Sequence, residues 1–312
     1  MNQTTATWLA GLALALGTSA GAPIVARQGA AQPPIIKAGT TVKVSDHVWV
    51  IPDGNVGMVP NVGIVVGSRA TLVVDTGMGP KNAETVLAEV AKVSRNAPGY
   101  LVTTHFHPEH TAGATVFKDA NYVVSRIQQQ DLDELEPQFI GSFSNMSAAN
   151  ADLLRDVVIR KGDTLFDREY TIDLGGVTVR LLAVGPTHTR GDTVAFVEPD
   201  RVLFSGDVVM GKNFLSFSNQ SSPSAWLKAF DDLDAFKPLK VVPSHREMGD
   251  ASFIAADRAL LTSLRARVRE LKAQGQTAPQ MVATLRPEFQ QKYADWANPN
   301  RLDATIRAMA AE

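Results

Sequence analysis

Five of the six histidines in this chain make joint chemical sense only if segments far apart in sequence meet at one place. Three are packed into His105-Phe106-His107-Pro108-Glu109-His110, and the others are His188 and His245, with Asp207 between those two. Histidine is the commonest side-chain ligand for zinc-like ions, and a site for a pair of ions needs a donor set of this size. Metal geometry tolerates little slack, so the segments must be delivered by rigid elements such as strand ends. The chain has no cysteine, which excludes thiolate ligands, disulfides and a cysteine nucleophile. A formal net charge of -2 leaves no basic surface that argues for nucleic acid.

The order of local patterns indicates an α/β chain. The first apolar run, Trp8 to Gly17, is too short to span a bilayer and is followed by Thr18-Ser19-Ala20, small residues of the kind that precede a cleavage site. Residues 1–22 therefore read as a secretory signal, although Met1 to Thr7 carries no Lys or Arg. Residues 23–40 read as a flexible lead-in, and the location expected is periplasmic or secreted. Thr41–Ile51 alternates as a strand, Val62–Val66 and Leu72–Val74 are short apolar strands, and Lys81–Arg95 is an amphipathic helix. Leu101–Thr104 is a strand that delivers the histidine cluster at its C-terminal end, where open α/β architectures place chemistry. Strands are expected again at Val177–Val184, Thr193–Val197, Val202–Phe204 and Val241–Pro243, with a helix over Ser224–Phe236. The stretches Gly63–Gly77 and Ala195–Asp207 share one design, a strand, a polar turn and a strand, as if two similar halves were packed together. A catalytic domain over 41–250 is followed by a helical extension over 251–312, with helices at Ser252–Gly275, Pro279–Leu285, Pro287–Trp296 and Arg301–Ala310. That tail offers packing or an oligomer contact and no evident chemistry.

Within the cluster, His105 and His107 can turn both imidazoles to one ion, and His188 completes that first site. Pro108 stiffens the turn so that Glu109 and His110 face a second site, which His245 joins. Asp207, after a strand and a glycine, is placed to bridge both ions with its two oxygens.

These residues resemble the motifs of the metallo-β-lactamase fold superfamily, His-x-His-x-Asp-His followed by a distant His, an Asp and a final His. The matching segments are Thr103 to Gly113, Pro186 to Asp192, Phe204 to Asp207 and Pro243 to His245, and the resemblance covers roughly residues 41–250. It implies a four-layer αβ/βα sandwich, a pair of zinc ions (iron or manganese being alternatives) and hydrolysis of a small ester, lactone, thioester or amide. Water is then activated between the cations, and Glu109 or Asp207 moves the proton. Asp75 is implied as the carboxylate that orients a ligand histidine. Weak β-lactam cleavage is compatible, but the lactamase branches usually carry Cys or Ser at the position of Asp207. Two departures stand out: Glu109 replaces the usual Asp and is one methylene longer, and Ser244 stands where glycine is common. Rival readings are an iron-dependent thiol or persulfide oxidoreductase and a non-catalytic metal-binding accessory protein whose second site Glu109 has impaired.

Substrate contacts are expected from Lys212 and Asn213, as a carboxylate or oxyanion contact, and from Met58, Phe139 and Phe143. Met58 belongs to a hairpin at Pro52–Asn61 and the two phenylalanines to a Gly/Ser/Asn-rich loop at Gln138–Asn150, both expected to cover the site. His47 is expected to be structural, and Arg190-Gly191-Asp192 a turn held by an ion pair.

Overall fold

The apolar runs pair into two sheets in the computed structural model, which describes residues 32–312. The first sheet is built, in spatial order, from β1 (Val42–Lys43), β2 (Val48–Ile51), β3 (Val62–Val66), β4 (Thr71–Val74), β5 (Pro98–Val102), β6 (Asn121–Ser125) and β7 (Thr164–Phe166). Its first four strands pair antiparallel and the pairings from β4 to β7 are parallel. The second sheet contains β8 (Glu169–Asp173), β9 (Thr178–Ala183), β10 (Thr193–Val197), β11 (Val202–Gly206) and β12 (Lys240–Pro243), in the order β12-β11-β10-β9-β8. Only β11 and β12 run parallel there. The helices are α1 (Gly79–Val93), α2 (Pro108–Thr111), α3 (Arg126–Glu134), α4 (Glu136–Ser144), α5 (Ala148–Leu154), α6 (Pro223–Ala235), α7 (Ser252–Ala273), α8 (Ala278–Lys292) and α9 (Leu302–Ala311).

Two-residue periodicity sorts the side chains into layers. Val48 and Val50 of β2 meet Val179, Leu181 and Phe204 of the other sheet, whereas Ile51 joins Val86 and Val90 of α1 on the outer face. The sheets approach so closely at β3 that a Cβ on Gly63 would lie 2.5 Å from the Phe204 ring. Burying a ring of this kind stabilises the fold by roughly 2–3 kcal/mol. The outer face of the second sheet, with Val194, Phe196 and Leu203, shares one apolar cluster with Trp226 of α6, Leu264 of α7 and Ile306 of α9. Helix, sheet, sheet and helix give the expected four layers. The C-terminal helices are part of the outer layer rather than an appendage, and residues 32–312 form a single compact unit.

The two halves repeat one topology. Three antiparallel strands, a crossover helix and a parallel strand occur as β2-β3-β4-α1-β5 and again as β9-β10-β11-α6-β12. The stretches with a shared design in the sequence are the hairpins β3-β4 and β10-β11. Each half presents Asp75 or Asp207 after its third strand, and His105 or His245 after its fourth.

Several local expectations need correction. Thr41–Ile51 is not one strand: Val44 N–H donates to Val48 O at 2.8 Å, folding the segment into the hairpin β1-β2 around Ser45-Asp46-His47. His47 caps this turn by pairing with Asp200 at 3.1 Å. Gln138–Asn150 is not a loop but α4 and α5, with Phe139 and Phe143 one helical turn apart and Ser147 capping α5. Pro287 does not divide two helices; α8 runs through it because Met281, Leu285 and Phe289 are buried on either side of it. The lead-in at 33–41 is tied down where it is described. Asn82 of α1 accepts from Ile36 N and donates to Pro34 O, and Glu89 accepts from Gly39 N and Thr41 Oγ1. The expected signal segment lies outside the described residues.

Candidate metal centre

Strand β5 ends at Val102, and the chain turns there because Asp75, after β4, takes hold of it. Asp75 Oδ1 accepts from Thr104 N–H at 2.7 Å, and Oδ2 accepts from Thr104 Oγ1 and from His110 Nδ1 at 2.9 Å. Asp75 sits in the left-handed region at φ 66°, a conformation that costs a non-glycine residue on the order of 1 kcal/mol and persists only where its surroundings enforce it. His107 then caps α2, a single turn that carries Glu109 and His110. On the other side, Gly206 at φ 58° lies so near Thr104 that a Cβ would be 2.9 Å from it, which lets Asp207 enter beside the histidines.

The donors fall into two groups. His105 Nε2 and His188 Nε2 lie 3.1 and 3.2 Å from His107 Nδ1. Three nitrogens on a tetrahedral zinc are separated by about 3.3 Å, so the spacing fits one ion with little adjustment. Glu109, His110 and His245 form the second group, their ligand atoms within 4.8 Å of one another. Asp207 lies between the groups, Oδ2 at 3.6 Å from His188 Nε2 and Oδ1 at 3.8 Å from His245 Nε2. Glu109 reaches into the second group, its Oε1 3.9 Å from His110 Nε2.

The remaining nitrogens are tied up in a way that frees the inward lone pairs. His188 Nδ1 donates to Ser216 O at 2.8 Å, His245 Nδ1 to Val59 O at 2.9 Å, and His105 Nδ1 bonds Thr104 Oγ1 at 3.1 Å. His107, which uses Nδ1, is instead stacked on Phe139 at 4.9 Å between centroids. His110 Nε2 and Glu109 Oε2 are buried without any hydrogen-bond partner. Buried polar atoms in native proteins are nearly always paired, so these two point to a cation as the missing partner. The donor set and these two orphaned atoms together fit a pair of divalent ions.

Electrostatics agree. Burial, together with repulsion from the neighbouring imidazoles, holds His105 and His107 well below the usual histidine range, so both are neutral ligands at pH 7. Burial also disfavours a charged His110, but the Asp75 carboxylate overrides it and pushes that group up to about 9. A cation at the second group therefore competes with a proton there. Burial raises Glu109. Asp207 is held below the usual carboxylate range against the pull of burial, by His245, His188, His110 and Arg301.

The centre opens onto a cavity of about 740 Å³, the size of a small-molecule site. Met58, Phe143 and Asn213 line it. Phe139 does not line it and supports His107 from behind. Lys212 does not line it either; its ammonium pairs with Asp295 at 2.9 Å on the exposed surface. The cationic groups on the wall are Arg246, next to a ligand histidine, and Arg301, from the tail. Neither carries a signal in the sequence, and Arg301 lies far from every motif. Asn61 was also overlooked: it accepts from Asp53 N–H and donates to Pro243 O and Arg246 O, fastening the His245 loop to the β2-β3 connection. The Arg190-Gly191-Asp192 turn is held by ion pairs to α3 and by hydrogen bonds within the loop. Asp192 accepts from Thr187 and Thr189, shaping the loop that carries His188, while Arg190 pairs with Asp131 and Glu134 of α3.

Among known proteins, a linear primary-alkylsulfatase of Pseudomonas sp. is 28% identical over 215 residues, covering 58% of this chain and 40% of that protein. The solved structure of a stereoselective inverting sec-alkylsulfatase from Pseudomonas sp. superimposes with a TM-score of 0.66 at 13% identity, over 86% of this chain and 49% of the other. A metallo-beta-lactamase from Pontibacter korlensis gives a TM-score of 0.54 at 21% identity, over 71% of this chain and 98% of that one. The structural likenesses are of fold, and the chain spans less than half the length of either alkylsulfatase. The Metallo-beta-lactamase superfamily profile matches residues 56–245, the span that holds both donor groups and Asp207, and the chain belongs to that superfamily.

Proposed function

We propose that this protein is a hydrolase of small esters, lactones, thioesters or amides, working with two zinc ions and acting outside the cytoplasm. A pair of bound divalent cations would supply Lewis-acid activation of water and of the group to be cleaved. His105, His107 and His188 would hold one ion, and Glu109, His110 and His245 the other, with Asp207 placed between the two donor groups. Ser216 O, Val59 O and Asp75 keep the imidazoles aimed, which limits reorganisation during turnover. Glu109, on the cavity wall, would be placed to take up a proton from water there. Met58 and Phe143 give the substrate an apolar surface and exclude bulk water.

The observation that carries this reading is the pair of donor groups spanned by Asp207 on the wall of a small-molecule cavity. Within the hydrolase class, a second substrate reading is favoured by the relatives: the likeness to a sec-alkylsulfatase extends over 86% of this chain, against 71% for the lactamase from Pontibacter korlensis. Sulfate esters therefore belong beside carboxylic esters among the substrates. Protein purified without added metal is assayed for its metal content and against lactones, thioesters, β-lactams and alkyl sulfates, before and after a chelator. Two zinc per chain and hydrolysis abolished by chelation and restored by zinc are expected. Hydrolysis indifferent to the chelator would sink the proposal, and bound iron with thiol oxidation would replace it with the oxidoreductase reading. Among the described residues no helix is long and apolar enough to cross a bilayer.

A further inference from the structure

The cavity beside the donor groups carries two guanidiniums that the metal chemistry does not use. Arg301 is brought there by the chain leading into α9, and its Nη1 donates to Phe214 O at 3.1 Å. Arg246 directly follows His245, at φ 72°, with its backbone N–H donating to Asp53 Oδ2 at 2.6 Å. Both side chains line the cavity, and among the described residues neither has a carboxylate oxygen within 4.0 Å. Burial disfavours the charge on Arg301, the Asp207 carboxylate favours it, and the neighbouring Arg246 opposes it. With cations bound, Asp207 and Glu109 would be engaged at the donor groups, and Asp53, the third carboxylate of the lining, accepts from the Arg246 backbone N–H and not from its guanidinium. Arg301 has the Asp207 carboxylate as an attractive neighbour and Arg246 is exposed to water, but no carboxylate of the described residues occupies either planar fork, so both remain able to bond an anion in the cavity. Another part of the lining is apolar: Met58, Phe143 and Met146 belong to it, and Met146 is 58% exposed.

We propose that Arg246 and Arg301 form a receptor for a fixed negative charge on the substrate, an anionic group recognised beside the bond that is cleaved, with the apolar part of the same molecule against Met58, Phe143 and Met146. This rests on the hydrolase reading and names its substrate class, a small anionic amphiphile. Arginine suits the task because its planar fork bonds an oxyanion through two N–H groups at once. The structure thereby gives the C-terminal helical tail a direct part in substrate choice.

Hexane-1-sulfonate tests this, since it carries the charge and the chain, is not hydrolysed, and is a poor metal ligand compared with a carboxylate. Its binding to the metal-loaded full chain is measured by calorimetry against 1-hexanol, with Arg246→Ala, Arg301→Gln and Arg301→Lys. The sulfonate is expected to bind at least about tenfold more tightly than the alcohol, with a loss of about tenfold in Arg246→Ala and in Arg301→Gln, the scale of one charge-assisted contact. Arg301→Lys should recover part of the loss, and added salt should weaken binding to the wild type more than to Arg246→Ala. Arg246 is exposed, so its variant decides the matter if Arg301→Gln does not fold. Equal binding of the two ligands, or a sulfonate affinity unchanged in Arg246→Ala, overturns the receptor. The two readings fail separately. Sulfonate binding by a protein that hydrolyses nothing leaves the receptor and removes the hydrolase. Hydrolysis of 4-nitrophenyl butyrate and 4-nitrophenyl hemisuccinate with equal kcat/KM removes the receptor and leaves the hydrolase.

Discussion

A ligand histidine is set by what its other nitrogen does, and Asp75 is the clearest case. Its carboxylate holds Thr104 on one side and His110 on the other, so one residue fixes the end of β5 and the tautomer of a second-group ligand. Replacing it with Asn keeps the size and tolerates the left-handed φ better, so the fold should survive. The neutral amide is a weaker acceptor, however, and the second ion should bind about 10–100-fold more weakly, the usual cost of losing such a partner. Dialysis of Asp75→Asn against a mild chelator should leave close to one metal per chain where the wild type keeps two; an unchanged count would contradict the role given to Asp75. The two donor groups were legible in the sequence because residue type and spacing restrict metal ligands severely. The charged residues of the cavity were not. Lys212 follows Asp207 closely, yet its side chain leaves for Asp295, because sequence proximity does not set the direction of a loop side chain. Arg301 reaches the cavity only because α8 and α9 fold back onto α7, a tertiary event with no local signature.

Elements with a buried stripe or a strict alternation were legible, and those governed by a single breaker were not. β10 matches the expected Thr193–Val197 because all five residues are buried and apolar or β-branched. β6, β7 and β8 escaped notice because polar and charged residues dilute them, as in Glu169 and Asp173. α4 reads as a loop in the sequence because Gly141, Ser142, Ser144 and Asn145 outweigh the spacing of Phe139 and Phe143. In α8 the local sequence signal points instead to a break at Pro287, which the structure does not show. That proline is exposed on a helix whose opposite face is anchored by Leu285 and Phe289, so packing keeps the helix intact and the missing N–H is simply tolerated. Pro287→Ala should restore a bond to the carbonyl one turn earlier and raise stability by about 1–2 kcal/mol, after allowing for the looser unfolded chain. Thermal unfolding should show a higher Tm. A lower Tm would mean that the proline ring at this position contributes packing or chain stiffness that outweighs the restored hydrogen bond.

At the level of the whole molecule, the four layers followed from the resemblance of the motifs and not from composition, which is ordinary at 45% hydrophobic. The repeated half-topology was legible only as a short echo, because the periodicity of a hairpin carries no information about which sheet it joins. Stability at this scale has a buried acid that no motif announced. Glu136, at the start of α4, is 1% exposed; Thr111 donates to one of its oxygens, the other has no partner, and burial pushes the group up to about 8. In the unfolded chain the same carboxyl titrates near its ordinary 4.5. Between these values the folded protein binds more protons than the unfolded one, so the group's contribution to stability is complete below about pH 4.5 and is lost as the pH rises toward 8. Glu136→Gln removes the titration while preserving the acceptor for Thr111. Its Tm should match the wild type near pH 5 and exceed it increasingly from pH 6 to 8.5, on the order of several degrees at the upper end. Other carboxyls affect both proteins alike, so the difference between the two curves isolates Glu136. A difference that stays flat across that range would mean that Glu136 is ionised in the fold and that a cation or water inside the α2-α4 contact satisfies its second oxygen.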